Sequence, residues 1–261
     1  MKETKVAVTE KNFTFLKKVQ GLKEEILIKR VKITEKGKEE KEVNVCLVAD
    51  EYVSYLVQAT QLAPVFVGEK FGLKNIKAFL KAVTTYGEMA EKDNEIVFSS
   101  DKKKTTYRKL DESTIQPCKL PEVDLKGYVA IQLLKEETKE IGDGLRENPL
   151  SDYASLSITA ANKLMMQIGE MTYDNLFVLE IKDIVRKETN AIKFLTKASY
   201  LTRLFGTLDE DSKVTLFLKA DSPLICVEKS EIINIRTYIA PVSSGDDEEK
   251  IDEIVDETDD E

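Results

Sequence analysis

The sequence predicts an α+β protein of two similar domains, each with two helices packed on antiparallel sheets. Segments of helical period are few and short, while alternating, β-rich segments fill most of the chain. The order strand, helix, strands, helix, strands occurs twice. Phe79-Leu80-Lys81-Ala82 also returns as Phe194-Leu195-Thr196-Lys197-Ala198, 115 residues on, each copy followed by a loop and a strand. Such self-similarity implies a duplicated module.

Taken in order, Lys5 to Val8 reads as a short strand and Asn12 to Lys23 as a helix, with Phe13, Leu16 and Val19 on one face. Ile26 to Ile33 and Val43 to Val48 alternate around a charged turn at Glu35 to Lys41, the pattern of a hairpin. Val53 to Val67 is β-branched and aromatic enough for one or two strands. Leu73 to Thr84 has the clearest helical period. Ile76, Phe79, Leu80 and Val83 form the core stripe, and Lys74, Lys77 and Lys81 form a second stripe. Glu95 to Ser99 and Thr105 to Leu110 close a first domain at residue 110.

Residues 111–127 carry two of the six prolines and little periodicity, as an extended connector does. The second domain, 128–242, begins with a strand at Tyr128 to Gln132 and a helix at Leu134 to Leu145. Strands are expected at Ala154 to Thr159, Lys163 to Ile168 and Leu176 to Ile184, and a helix at Ala191 to Phe205. Lys213 to Lys219, Leu224 to Glu228 and Ile232 to Ile239 supply the last strands.

Composition narrows the function. The net charge of -9 is uneven: residues 243–261 hold eleven Asp or Glu and one Lys, so they carry -10 and the other 242 residues sum to +1. A tail of that charge density resists collapse and is expected to be disordered. It would discourage non-specific DNA contact, bind a basic partner, or only keep the chain soluble. Three widely spaced cysteines read as reduced thiols of an intracellular protein. No apolar run approaches the roughly 18 residues of a membrane span, and no secretory leader is expected from the first residues. With no histidine, no GxxxxGK[ST] or GxGxxG loop and no CxxC pair, the usual catalytic and metal-binding patterns are missing. A hydrolase built on carboxylates is the surviving enzyme reading, and no Asp/Glu pair stands out for it.

Lysines recur beside the helical core stripes: Lys17 and Lys18, Lys74, Lys77 and Lys81, Lys135 and Lys139, Lys193 and Lys197, with Arg203 further along the last helix. Any one stripe reads plainly as a solvated face. Four such helices in a pseudo-symmetric array would present a basic surface to a nucleic-acid backbone, making phosphate contacts that read no bases. Glu136, Glu137 and Glu140 weaken that field on the third helix.

Phe15-Leu16-Lys17-Lys18-Val19, the Leu73 to Ala82 segment, Ile141-Gly142-Asp143, Phe194 to Ser199, Ala220 to Leu224 and Tyr238 to Pro241 together form a known series. Their order and spacing over residues 1–242 resemble the proliferating cell nuclear antigen (PCNA) family of DNA sliding clamps. The resemblance implies a processivity fold whose protomers close as a homotrimeric ring around double-stranded DNA, with the lysines above and Arg203 in the pore. It implies no enzyme activity and no cofactor. The expected partners are DNA polymerase, a clamp loader, peptide-motif proteins and further copies of the chain, in a DNA-associated setting with no membrane. Protomers would join through Thr105, Tyr107 and Leu110 on one chain and Phe177, Leu179 and Ile181 on the next. Partner peptides would dock beside the connector on Val45, Leu47, Ile115, Leu120, Pro223, Tyr238, Ala240 and Pro241. The short, proline-containing connector and a pocket without histidine depart from the family pattern. The runner-up is a clamp-fold scaffold or transcription accessory factor that does not encircle DNA.

Overall fold

The computed structural model describes residues 6–34, 40–116, 118–169, 176–185 and 190–242. Most of the charged turn expected at Glu35 to Lys41, the expected strand's Lys5 and the acidic tail lie outside the described residues. The first half runs β1 (Val6–Ala7), α1 (Thr14–Val19), β2 (Glu25–Ile33), β3 (Lys41–Ala49), β4 (Tyr55–Gln61), β5 (Lys70–Lys74), α2 (Ile76–Tyr86), β6 (Glu88–Glu91), β7 (Glu95–Ser99) and β8 (Lys104–Arg108). The second runs β9 (Val129–Leu133), α3 (Lys135–Glu147), β10 (Tyr153–Ile158), β11 (Lys163–Ile168), β12 (Phe177–Asp183), β13 (Ile192–Lys197), α4 (Ala198–Thr207), β14 (Lys213–Leu218), β15 (Leu224–Lys229) and β16 (Ile233–Ile239).

The halves repeat strand for strand. One four-stranded sheet, β1-β6-β7-β8, has its counterpart in β9-β14-β15-β16, and β5-β2-β3-β4 has its counterpart in β13-β10-β11-β12. The inner members fuse through β4 and β16, where Tyr55 lies opposite Ile239 and Gln61 opposite Ile233, giving an eight-stranded sheet β5-β2-β3-β4-β16-β15-β14-β9.

Period-two alternation gives this sheet two apolar faces. Tyr55, Val57, Ala59, Cys226, Ile235 and Ile239 point into the main core beneath the helices. Ala49, Leu56, Ile225 and Tyr238 point the other way, into a smaller cluster that Cys118 and Val123 of the connector cover.

Helix α2 shows why local sequence suffices in places. Asn75 adopts φ 53 and its side chain accepts from the Ala78 N–H at 3.1 Å, capping the helix. Gly87, at φ 75, ends it in the left-handed region. Its buried Phe79 meets Phe98 edge-on at 5.0 Å and Tyr107 at 5.4 Å, the centre of an aromatic core.

Several expected boundaries are corrected. The first helix is a 3-10 turn (Glu10–Phe13) followed by α1, and Gly21 at φ 81 turns the chain away well before Lys23. Lys70–Lys74 is a strand, so Lys74 precedes α2 rather than riding on it. The helix expected from Ala191 is strand β13 as far as Lys197. Phe194, Thr196 and Ala198 are buried in alternation there, and α4 then takes over with Leu201, Leu204 and Phe205 inward. Helix α3 and strands β7, β10, β11 and β14 to β16 lie where the sequence puts them, within a residue or two.

Candidate nucleic-acid interface and peptide groove

The helices form one row in the order α2, α1, α4, α3. α1 touches α2 and lies across both β4 and β16, and α3 packs beside α4. Polar contacts tie α1 to α4: Arg203 Nη2 donates to the Gln20 carbonyl, and Lys18 Nζ donates to the Thr207 carbonyl.

The expected basic residues divide by environment. Lys77 and Lys81 on α2, Lys139 on α3 and Lys193 and Lys197 on β13 are exposed, with no carboxylate partner among the described residues. Lys17 is exposed but paired with Glu10. Lys74 pairs with Glu25 at 3.2 Å and Glu24 at 3.8 Å, and the Glu25 hydrogen bond raises its pKa. Lys135 pairs with Glu210 at 3.0 Å, which raises its pKa likewise.

Lys18 leaves the surface set. Only 4% of its side chain is exposed, and its ammonium lies 2.7 Å from buried Glu228. An ammonium taken out of water needs such partners. Arg203 is half-buried, its guanidinium 5.6 Å from the centre of the Tyr55 ring. The matching of Lys77 and Lys81 with Lys193 and Lys197 is also corrected. Counted from the N-caps Asn75 and Lys197, the α2 lysines correspond to Ser199 and Arg203.

Beside the connector lies a groove of about 200 Å³. Val45, Leu47, Ile115 and Leu120 line it, as do Leu27, Ala49 and Cys118, with Lys23 and Lys29 at its polar wall. Pro223, Tyr238, Ala240 and Pro241 do not line it; Tyr238 belongs to the adjoining cluster, which shares Leu47, Ala49 and Cys118 with the groove. Burial raises the Cys118 thiol pKa, with Lys23 opposing. Sequence reasoning missed Leu27 and Ala49, although their alternation with Ile26, Ile28 and Val48 placed them on the face away from the main core.

The connector is moored before it reaches the groove. Leu110 and Gly72 exchange backbone hydrogen bonds at 2.8 and 3.0 Å. A Cβ on Gly72 would fall 2.2 Å from Ile115 Cδ1, so only glycine lets Ile115 seat there.

Among the strands at sheet ends, β8 bonds only to β7 and β12 only to β11 among the described residues. Of the expected interface residues, Leu110 is taken by β5 of its own chain. Tyr107 turns inward, its hydroxyl donating to the Ala78 carbonyl at 2.7 Å. Phe177, Leu179 and Ile181 are partly buried against the core, and Thr105 is half-buried on the β8 edge.

No family model matches the sequence, and no curated protein matches it by sequence. Solved structures match by shape. A. fulgidus PCNA, bound in that structure to the C-terminal region of FEN-1, aligns with a TM-score of 0.68 at 13% identity, covering 92% of this chain and 98% of its own. PCNA from Thermococcus kodakaraensis gives 0.65 at 15%, covering 92% and 100%. PCNA from Entamoeba histolytica gives 0.65 at 13%, covering 93% and 100%. The repeated sheets, the row of four helices and this match over nine-tenths of the chain give the protein the fold of the PCNA clamps.

Proposed function

We propose that the chain is a DNA polymerase processivity factor, a homotrimeric sliding clamp that encircles duplex DNA and tethers polymerase and other DNA-processing enzymes. One observation carries the reading. β4 and β16 pair inside the chain, whereas their repeat counterparts β12 and β8 each lie at a sheet edge. Joining β8 of one protomer to β12 of the next would reproduce the internal junction and bury both edges.

The internal register supplies the pairing. The turns before β8 and β16 each enclose four residues, which sets Lys104 against Asn234. β4 and β12 are both seven residues long, which sets Tyr55 against Phe177. Across the subunit boundary Thr105 would then face Ile181, Thr106 Glu180, Tyr107 Leu179 and Arg108 Val178. Lys104 would face Lys182, whose charge Glu137 already offsets at 2.9 Å.

On this reading residues 1–110 and 128–242 are the two domains, 111–127 the connector and 243–261 an acidic tail. The row of helices faces DNA, with Lys77, Lys81 and Lys139 its cations without a carboxylate partner among the described residues. Non-specific phosphate contact suits lysine, a mobile point charge, and lets the ring slide. The groove takes short apolar peptide anchors from partners. A closed ring admits circular DNA only when opened, hence the need for a loader. The clamp itself needs no active site and no cofactor.

Retention on DNA of different topology tests the proposal. Protein loaded onto a circular duplex should stay bound and be lost when the circle is cut, and its solution mass should be three times 29.5 kDa. Equal retention on both forms would overturn it. A clamp-fold scaffold or transcription accessory factor is the second reading. Neutralisation of Lys17, Lys74 and Lys135 by neighbouring glutamates favours it, and it predicts no dependence on topology.

A further inference from the structure

The groove beside the connector has an apolar floor and a cationic wall. Leu27, Val45, Leu47 and Ala49 share the face of β2 and β3 turned away from the main core, and Lys29 stands on that face two residues beyond Leu27. Lys23, half-buried, lies close enough to Cys118 for its charge to oppose the rise in that thiol's pKa. Neither lysine has a carboxylate partner among the described residues. Glu25 is the single acid lining the groove, and Lys74 engages it at 3.2 Å. Lys70, opposite Lys29 in the β2–β5 register, is already paired with Glu112.

The face continues past the groove. Gln58, on its far wall, lies opposite Arg236 of β16, which is exposed and also has no carboxylate partner among the described residues. Between Lys29 and Arg236, β3 and β4 present only uncharged residues on this face, from Val45 and Leu47 to Gln58 and Thr60. Three steps between strands separate the two cations, about 14 Å.

An apolar floor with cations at both ends decides what kind of segment fits. A partner whose apolar anchors cover the groove takes these cations out of water, and an ammonium left there without a counter-charge costs free energy. A carboxylate on each flank of the anchors offsets that cost, whereas a basic flank adds repulsion. Resting on the reading of this groove as a peptide site, we propose that it selects acidic partners: segments whose apolar anchors carry Asp or Glu on their flanks, held by Lys23 and Lys29 on one side and Arg236 on the other. The net charge of the whole chain, -9, draws basic peptides to the surface at large, so an acidic preference has to arise at this wall.

Selection of a phage-displayed library of random peptides, about twelve residues long, on the full chain tests the proposal. Peptides that a Leu47→Ser variant no longer retains are the groove's own binders. Among them Asp and Glu should outnumber Lys and Arg about three- to tenfold beside the apolar anchors at low salt. The excess should fade near 1 M salt, where the screening length falls to about 3 Å. Lys23→Glu combined with Lys29→Glu should reverse it toward Lys and Arg. Because Lys29 faces Lys70, the second substitution replaces like charges by opposite ones and leaves the strand pairing sound. Groove binders with no acidic excess, or an excess that ignores both the substitutions and salt, would overturn the charge preference alone. A selected set that Leu47→Ser leaves unchanged would overturn the peptide site and its charge preference together.

Discussion

Lys18 and Glu228, 210 positions apart, meet at 2.7 Å in the interior and bind the two halves of the molecule together. The Lys18 ammonium also donates to the Thr207 carbonyl, and Glu228 Oε1 accepts the Asp209 N–H at 2.8 Å. α1 is thereby fastened to the loop that follows α4, beside the β4–β16 junction.

Removing one partner leaves an uncompensated buried charge. Lys18→Ala or Glu228→Ala should each cost about 3–5 kcal/mol, read as a fall in the denaturation midpoint, and a Lys18→Met, Glu228→Leu double variant should recover most of it. A loss under about 1 kcal/mol in either single variant would show the pair to be dispensable.

The exposed lysines should behave differently. Lys77→Glu and Lys81→Glu should leave stability within about 0.5 kcal/mol of the parent. They should weaken DNA retention, each lowering the salt-dependence slope by about one. Fluorescence titrations at several salt concentrations, compared with thermal melts, separate this behaviour from that of Lys18.

Gly72→Ala should unseat the connector, since the added methyl would collide with Ile115 and Leu110. Overpacking of this kind costs about 1–3 kcal/mol. Limited trypsin digestion should cut faster at Lys119 and Lys126 than in the parent chain.

Val178→Lys would place a second cation opposite Arg108 in the proposed subunit register, while Val178 is 53% exposed in the isolated chain. Like charges facing each other across a strand pair are unfavourable. Sedimentation should show the assembly shifting toward single chains, with the melting profile of the protomer unchanged.

The thiols predict an alkaline limit to stability. Burial pushes Cys46 from its ordinary 9.0 up to about 12, and Cys226 upward as well. Folding therefore retains protons that the unfolded chain releases. The stability is fully present below pH 9 and is lost as pH climbs from about 9 toward 12, by about 1.4 kcal/mol per pH unit for each thiol. Urea midpoints between pH 8 and 11 should fall, and should fall less in Cys46→Ala once its own cavity cost is subtracted. In the native protein, Cys118 should be the first of the three thiols to react with a thiol reagent.

The junction at Lys197 shows where reading residues in a line fails. Phe194, Ala198, Leu201 and Phe205 imitate a helical stripe across a strand that turns directly into a helix. No capping side chain marks the change, so periodicity alone runs the helix back to Ala191. At Asn75 the signal was present in the asparagine cap, yet Leu73 fits the helical stripe as well as it fits β5. β6, four residues long, is too short for alternation to register. The charge on Lys18 looked like that of Lys17 because nothing within a helical turn reveals a glutamate on β15.

Local chemistry alone determined the doubled order of elements, the alternating strands, the capped α2 and the acidic run at 243–261, because each depends on neighbours a few residues apart. Only the tertiary structure decided that β4 and β16 fuse the halves while β8 and β12 lie at sheet edges. It alone sorted the cations into buried, paired and free. Those outcomes depend on contacts between residues as far as 210 positions apart, which no local period encodes.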